Sequence, residues 1–570
     1  MIFKSGPIRI LLGVGLLLFA SCGSNAPDEM PANEAGNGKY GGIFRMNFGD
    51  GYKSLYPLGA TELGSMQILW NVMEGLVAFR GGSPVPEPCL AESWDVLDEA
   101  TRYVFHIRRG VHFQDDACFP DGKGREVVAQ DVAYCLRRLC EADKYNESFW
   151  LVDGLIKGAR EYHQSTEAAD GKVADVEGIK VIDDYTLEID LTKPFSGLPY
   201  LLTSQYTLIY PREAVEKYGI AHLDQKAVGT GPFRVKDVKP GMYVALARNE
   251  HYWRKDAEGN ALPYLDGIMI GLDKQLNEAA AIRNGKLDLG RNMNMEMAEQ
   301  FHSHETNGRF RLFQVSTLSS TYLTFLHSYK PFQDERVRKA IALAIDKERI
   351  AKHLTNGQQP AKHGVVPPYF EAYETKYVDG IGYDPDEAKR LLAEAGYPGG
   401  KGFPEFEFIC SERHKAFGLA IQEMLAENLN VSVNVTLLSF QDLVKRAFSG
   451  TAPMSRASWI ADYPDPRTFL SVFYSTNIED MSSATASANI SRYINPAFDK
   501  LMDEADKMLD LKKRMELFQR ADEMLMRDAA VVPIAYGSKF GVLNNQVRNF
   551  EENRLQVFYF GEVYFGPEDE

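Results

Sequence analysis

Stretches of this chain with an apolar residue at every second position alternate with stretches whose apolar residues recur every three or four. Tyr103, Phe105 and Ile107 alternate with Arg102, His106 and Arg108, the period of a strand. Leu187, Ile189 and Leu191 do the same around Glu188 and Asp190, and Val431, Val433, Val435 and Leu437 around Ser432, Asn434 and Thr436. Between these lie helical stripes. Val132, Cys135, Leu136 and Leu139 share one face. Val337, Ile341, Ala344 and Ile345 share another, with Asp334 placed to cap it. Asp384, Pro385 and Glu387 supply a cap, a first-turn proline and a returning carboxylate. Gly396 and Pro398 then stop that helix. Asn495-Pro496 opens a helix striped by Phe498, Leu501, Met502 and Ala505, and a second amphipathic helix spans about 511–527. The pattern is mixed α/β. At 570 residues the chain exceeds one ordinary core. A strand-rich first half and a helix-rich second half suggest at least two lobes. No fixed-period repeat is visible.

The amino-terminal residues have the layout of a secretory signal. Lys4 and Arg9 precede an apolar run, 10–20, that is too short to span a bilayer. Ala20, Ser21 and Cys22 follow. Phe19-Ala20-Ser21-Cys22 resembles a bacterial lipobox, with Phe19 where that pattern has Leu. The resemblance implies a signal peptide over 1–21 and a lipid-bearing Cys22 that anchors the chain to a membrane. Residues 22–39 then read as a flexible tether. Export permits disulfides. The other five cysteines are an odd number, and Cys135 and Cys140 point apart at i and i+5. One bridge involving Cys118 is expected.

A net charge of −16 disfavours nucleic acid as a partner. Of the 28 Tyr and 32 Phe much of the aromatic area belongs to the core, and some is available to line a pocket.

Catalytic constellations are missing from the sequence. There is no G-x-S-x-G elbow and no phosphate-cradling G-x-x-x-x-G-K-[ST]. Gly229-Thr230-Gly231-Pro232 is a tight turn, since Pro232 has no amide to offer a phosphate. His302-Ser303-His304-Glu305 sets two imidazoles on one face, but no second matched group makes it a zinc site. The reading is a binding protein without turnover and without a cofactor.

Several separated blocks carry a family resemblance. They include Leu90-Ala91-Glu92-Ser93-Trp94, Gly110-Val111-His112-Phe113, Asp131-Val132-Ala133-Tyr134 and Gly229-Thr230-Gly231-Pro232-Phe233. They continue with Asn249-Glu250-His251-Tyr252-Trp253, Pro263-Tyr264-Leu265-Asp266-Gly267-Ile268 and the helix from Phe332 through Ala340 to Asp346. Trp459-Ile460-Ala461-Asp462-Tyr463-Pro464-Asp465-Pro466 and Val532-Pro533-Ile534 complete the set. Together they resemble the bacterial extracellular solute-binding proteins of family 5, which serve dipeptide, oligopeptide and nickel importers. The resemblance covers roughly 40–560. Two departures stand out: 115–125 is longer than the family's usual turn, and Val128 sits where a capping Thr is common.

That resemblance implies a two-lobed periplasmic-binding-protein fold of the three-domain, oligopeptide-binding subclass, with a hinge between the lobes. Lobe 1 is expected over 40–79, 195–316 and 537–570, with an additional domain inserted over 80–194. Lobe 2 is expected over 317–536, with crossings near 317–322 and 532–536. It further implies a monomer in the bacterial cell envelope that captures peptides and hands them to an ABC permease and ATPase complex.

Position by position, Asp462 matches an Asp that pairs with a peptide's α-ammonium. Its alternative is to cap the turn before Pro464. Arg456 matches a position where an Arg meets a peptide carboxylate in some relatives, and its alternative is a surface charge. Trp459 is an aromatic wall or plain core. Backbone groups of Ser458 to Ile460 would extend the peptide as an added strand. Glu74 matches a first-lobe block near the cleft, where it supports the site or simply lies nearby. The same fold with nickel–metallophore, haem or sugar, a peptide receptor or chaperone without transport, and a hydrolase are the competing readings.

Overall fold

The computed structural model describes residues 38–49, 51–80, 85–168, 172–293, 297, 300–301, 308–354, 358–478, 489–551 and 554–567. The amino-terminal apolar run, Cys22 and the His302/His304 pair lie outside them.

Strands β1 (Ile43–Asn47), β2 (Ala91–Leu97), β3 (Arg102–Ile107), β4 (Ile179–Asp183), β5 (Thr186–Asp190), β6 (Phe233–Lys239), β7 (Tyr243–Arg248) and β8 (Gly267–Gly271) build two four-stranded sheets. Their orders are β1-β8-β7-β6 and β2-β3-β5-β4. Tyr103, Phe105 and Ile107 point inward from β3, as their alternation requires. Strands β9 (Leu289–Met293), β10 (Phe310–Phe325), β11 (Gln359–Pro360), β12 (Phe406–Ser411), β13 (Val433–Leu438), β14 (Met454–Ile460) and β15 (Val531–Asn544) form the largest sheet. Its order is β9-β15-β10-β14-β12-β13, with β11 on β15. The second half of the chain carries more helix than strand, yet it also holds the largest sheet, whose two long central strands the sequence pattern did not mark. The first eight residues of β15 are all buried. A strand covered on both faces loses its two-residue period and with it the signal.

The helices used below are α1 (Leu63–Val72), α2 (Ala129–Cys140), α3 (Glu335–Leu343), α4 (Pro385–Glu394), α5 (Lys415–Leu429), α6 (Pro496–Lys507) and α7 (Leu511–Arg527). Their ends follow the sequence chemistry. Asp334, Asp384 and Asn495 each accept a first-turn amide of α3, α4 and α6. Gly396 leaves α4 with φ +100°. Strand β13 begins at Val433 rather than Val431. Asn430 caps α5 in the left-handed region at φ 53°, and the chain spends 430–432 turning. Val128 has no capping side chain, and the Asp131 carboxylate accepts its N–H at 3.0 Å instead. The expected bridge at Cys118 is absent: Cys89, Cys118, Cys135, Cys140 and Cys410 are all free thiols. Cys89, Cys135, Cys140 and Cys410 are enclosed in packed cores, away from the long turn that carries Cys118.

Strands β10 and β15 hold the large sheet together. They pair from Phe310 opposite Asn544 to Thr324 opposite Val531. The ladder shifts register twice, between Ser316–Ser538 and Ser320–Tyr536 and again between Thr321–Ala535 and Tyr322–Pro533, and the first shift is the larger. At the first, three residues of β10, Thr317 to Ser319, oppose the single Gly537, an irregularity that bends and twists the ribbon. On one side of it β15 also pairs with β9. On the other, β10 pairs with β14. The sheet thus has two wings joined by a two-stranded ribbon. Among the described residues no helix is long and apolar enough to cross a membrane.

Candidate functional site

Strand β14 has one paired edge and one open edge at its carboxyl end. It pairs with β10 along its whole length, from Met454 opposite Phe325 to Ile460 opposite Ser319. On the other side β12 reaches it only at Met454 and Ser455. Residues 456–460 therefore keep a free strand edge, the usual docking rail for an extended chain. Alternation along β14 sends Arg456, Ser458 and Ile460 to one face and Ala457 and Trp459 to the other.

The first face borders a cavity of about 790 Å³ lined by Arg456, Ser458 and Ile460 together with Arg413, His414 and Lys539. A neighbouring cavity of about 460 Å³ is lined by Ile460 and Asp462, with Phe48, Tyr206, Phe313 and Phe558 supplying aromatic surface. Leu63, Arg291, Ile460, Lys539, Phe540 and Gln556 border both, so the two are parts of one cleft. Its walls come from both wings of the large sheet and from the start of α1. It opens at the irregular step of the ribbon, since Thr317, Ser319 and Gly537 line it too.

Asp462 and Asp465 lie three residues apart and have opposite environments. Asp465 is fully buried and ion-paired with Arg514 of α7. Asp462 is half-buried, and among the described residues no cation lies within 4 Å of its carboxylate. Its Oδ2 accepts the Thr468 hydroxyl at 2.9 Å. Trp459 Nε1 donates to the same Thr468 oxygen at 3.0 Å. Burial pushes the Asp462 carboxyl up to about 6. Burial and then the Asp462 charge push the Tyr206 phenol up to about 12. A carboxylate held this way is short of one positive charge.

Arg456 is the complementary case. Its guanidinium makes one long contact, NH2 to Thr321 Oγ1 at 3.5 Å. Its Nε is buried without a partner. Burial first, and the Arg413 charge second, pull it down to about 10.

The structure brings together Arg456, Ser458, Ile460 and Asp462 and sets Trp459 and Glu74 apart. Trp459 borders neither part of the cleft. It packs against the core built on α6 and α7 and steadies Thr468 behind Asp462. Glu74 is buried beside a separate small cavity. Both its oxygens are occupied: Oε1 accepts Arg80 at 3.0 Å and Tyr252 at 2.8 Å, and Oε2 accepts Thr230 at 2.9 Å and Trp253 at 2.7 Å. Sequence reasoning missed Arg413, Lys539 and the cleft aromatics. Each comes from a different segment, and no spacing along the chain marks them. Among the described residues no group of three metal-ligating side chains occurs.

The profile described as "Bacterial extracellular solute-binding proteins, family 5 Middle" matches residues 85–480. The chain is 28% identical over 502 residues to the periplasmic oligopeptide-binding protein OppA of Escherichia coli, covering 86% of each chain. It is 28% identical over 507 residues to heme-binding protein A of Haemophilus influenzae, covering 87% of this chain and 86% of that one. Its fold superposes on the ABC transporter-associated periplasmic binding protein DppA from Helicobacter pylori in complex with the peptide STSA. The TM-score there is 0.72 at 25% identity, over 93% of this chain and 99% of that one. With a profile match over more than half its length, this chain belongs to the bacterial extracellular solute-binding proteins of family 5.

Proposed function

We propose that this protein is the extracytoplasmic binding component of an ABC importer and that it captures short peptides in the cleft beside β14. The observation that carries the reading is Asp462, a carboxylate with no cation within 4 Å among the described residues, at the end of an unpaired strand edge. A peptide's α-ammonium supplies the missing charge. Its backbone adds to the 456–460 edge, and Arg456 is available to its carboxylate. Such a mode reads termini and main chain and leaves side chains to the surrounding cavity. Relatives named for oligopeptide binding, and a similar fold in complex with a peptide, favour the same ligand class.

The domain scheme belongs to this proposal. Residues 40–79, 195–316 and 537–570 make lobe 1, 80–194 an added domain, and 317–536 lobe 2. The ribbon of β10 and β15 is the hinge, and its irregular step at Gly537 is where bending concentrates. Ligand bridging both lobes selects the closed state. Cys22 is proposed as a lipid anchor after removal of 1–21. Cys22→Ala should move the protein from the membrane to the soluble fraction, and an unchanged membrane fraction contradicts the anchor.

Native mass spectrometry of the purified protein tests the ligand class. Co-purified masses resolving into peptides support the reading, whereas a porphyrin or a sugar overturns it.

A further inference from the structure

The end of the cleft furthest in sequence from Asp462 carries more positive charge than one peptide carboxylate neutralises. Arg456 and Arg413 both border the 790 Å³ cavity, and among the described residues no carboxylate borders it. Among the described residues neither guanidinium has an ion pair within 4 Å. Arg456 has the long Thr321 contact and an unpartnered buried Nε. Its ring neighbour is Phe417, 5.5 Å away, which offers a π-face and no acceptor. Arg413 lies on the turn ahead of α5 and is exposed toward the same space. His414 adds no charge of its own. Burial and then the two arginines hold it near 4, and its Nδ1 is engaged with the Ser411 hydroxyl at 2.6 Å.

Among the described residues, the carboxylates that border the wider cleft are those of Glu62 and Asp462, both in its 460 Å³ part. Glu62 stands at the start of α1, where its Oε1 accepts the amides of Lys53 at 2.7 Å and Ser65 at 3.0 Å and its Oε2 is buried without a partner, away from the two arginines. A chain of net charge −16 has therefore set Arg413 and Arg456, and no described carboxylate, around this 790 Å³ part of its cleft. Two like charges facing one cavity repel, and an anionic group brought in from outside relieves that repulsion. One terminal carboxylate fills one guanidinium fork. A zwitterionic peptide with neutral side chains leaves the other unanswered.

We infer that the peptides captured here are acidic, with an aspartate or glutamate side chain that meets the Arg413–Arg456 pair alongside the terminal carboxylate. This rests on the peptide reading above and narrows it to a charge class. The lining disfavours lysine-bearing peptides by the same argument.

Calorimetry on the full chain tests this with alanine tri-, tetra- and pentapeptides in which one residue is replaced in turn by Glu, Gln or Lys. Glu peptides should bind tighter than their Gln counterparts by on the order of tenfold at the best position, the worth of one charge-assisted hydrogen bond. Lys peptides should bind weakest. The Glu-to-Gln ratio should shrink with added salt and fall toward one in Arg413→Gln. Equal binding of Glu and Gln peptides by the unsubstituted protein overturns the charge preference and leaves the peptide reading standing. A ratio unchanged in Arg413→Gln overturns the role of that residue. Failure of every free-amine peptide to bind overturns the peptide reading itself, and this inference with it.

Discussion

Thr468 gives its hydroxyl hydrogen to Oδ2 of Asp462 at 2.9 Å, and Trp459 Nε1 donates to the Thr468 oxygen from behind at 3.0 Å. The carboxylate is thus oriented by neutral donors, which fix its direction without cancelling its charge. A charge held so is costly to the empty protein. Folding raises this carboxyl from its ordinary 3.8 to about 6. The sign follows from linkage: a raised acid binds protons more tightly when folded, so stability is lost as pH rises from about 4 through 6. At neutral pH the cost is on the order of 1–2 kcal/mol, allowing for its partial exposure. Asp462→Asn keeps an acceptor for Thr468 and removes the charge. It should raise the unfolding midpoint of the ligand-free protein while weakening peptide binding by about 2–5 kcal/mol.

Asp465 should behave in the opposite way. Among the described residues it is the single hydrogen-bonding acceptor of Arg514, whose Nε and Nη2 are buried without partners. Asp465→Asn takes away that guanidinium's ion-pair partner and leaves it against the Tyr200 and Phe518 rings with only the more distant Asp506 charge. A loss of about 3–5 kcal/mol in denaturant unfolding is expected. Two aspartates in one short motif would then be separated by the sign of their effect on stability.

Glu74→Gln separates a structural role from a binding one. The substitution strips the counter-charge from Arg80 and turns an acceptor of four donors into a mixed group. Stability should fall by about 2–4 kcal/mol. The ratio of free-amine to N-acetylated peptide affinity should not move, because Glu74 borders neither part of the cleft.

Gly537 sits where the ribbon changes register. A Cβ added there would meet Ser319 Oγ at 2.0 Å and Thr317 Oγ1 at 2.1 Å. Those hydroxyls are bonded to each other at 2.8 Å and must separate to make room. Gly537→Ala should cost about 1–3 kcal/mol in stability. Adding Ser319→Ala and Thr317→Gly should recover most of it, by removing both obstructing oxygens. No recovery in the triple variant would place the strain elsewhere.

The sequence made the surface elements legible and left the central ones hidden. Helices α4, α6 and α7 begin within a residue or two of where Asp384, Asn495 and the 511–527 stripe put them, because caps and one-sided apolar faces are local chemistry. Strands β10 and β15 are not local: the last six residues of β10 and the first eight of β15 are buried on both faces, so those stretches show no alternation. The cleft divides likewise. Asp462, Arg456, Ser458 and Ile460 share one motif and could be named together. Arg413, Lys539, Phe48, Phe313 and Phe558 reach the same space from five separate segments. Trp459 was readable as wall or core, and strand alternation decides for the side facing away from the cleft.

Peptide affinity should depend on pH through Asp462 alone over the mildly acidic range. The ligand's ammonium favours the ionised carboxylate, and a proton taken up near 6 competes with it. Affinity should be level above pH 7 and fall by up to about tenfold per unit below 6. The profile should flatten in Asp462→Asn.

The most direct test is calorimetric titration at neutral pH of one peptide with a free amino terminus and of the same peptide N-acetylated. The account predicts that acetylation weakens binding by about 30-fold or more, the loss of a partly desolvated charge pair. It also predicts that Asp462→Asn brings the two peptides close together. Equal affinities for the free and acetylated peptides in the unsubstituted protein would contradict it.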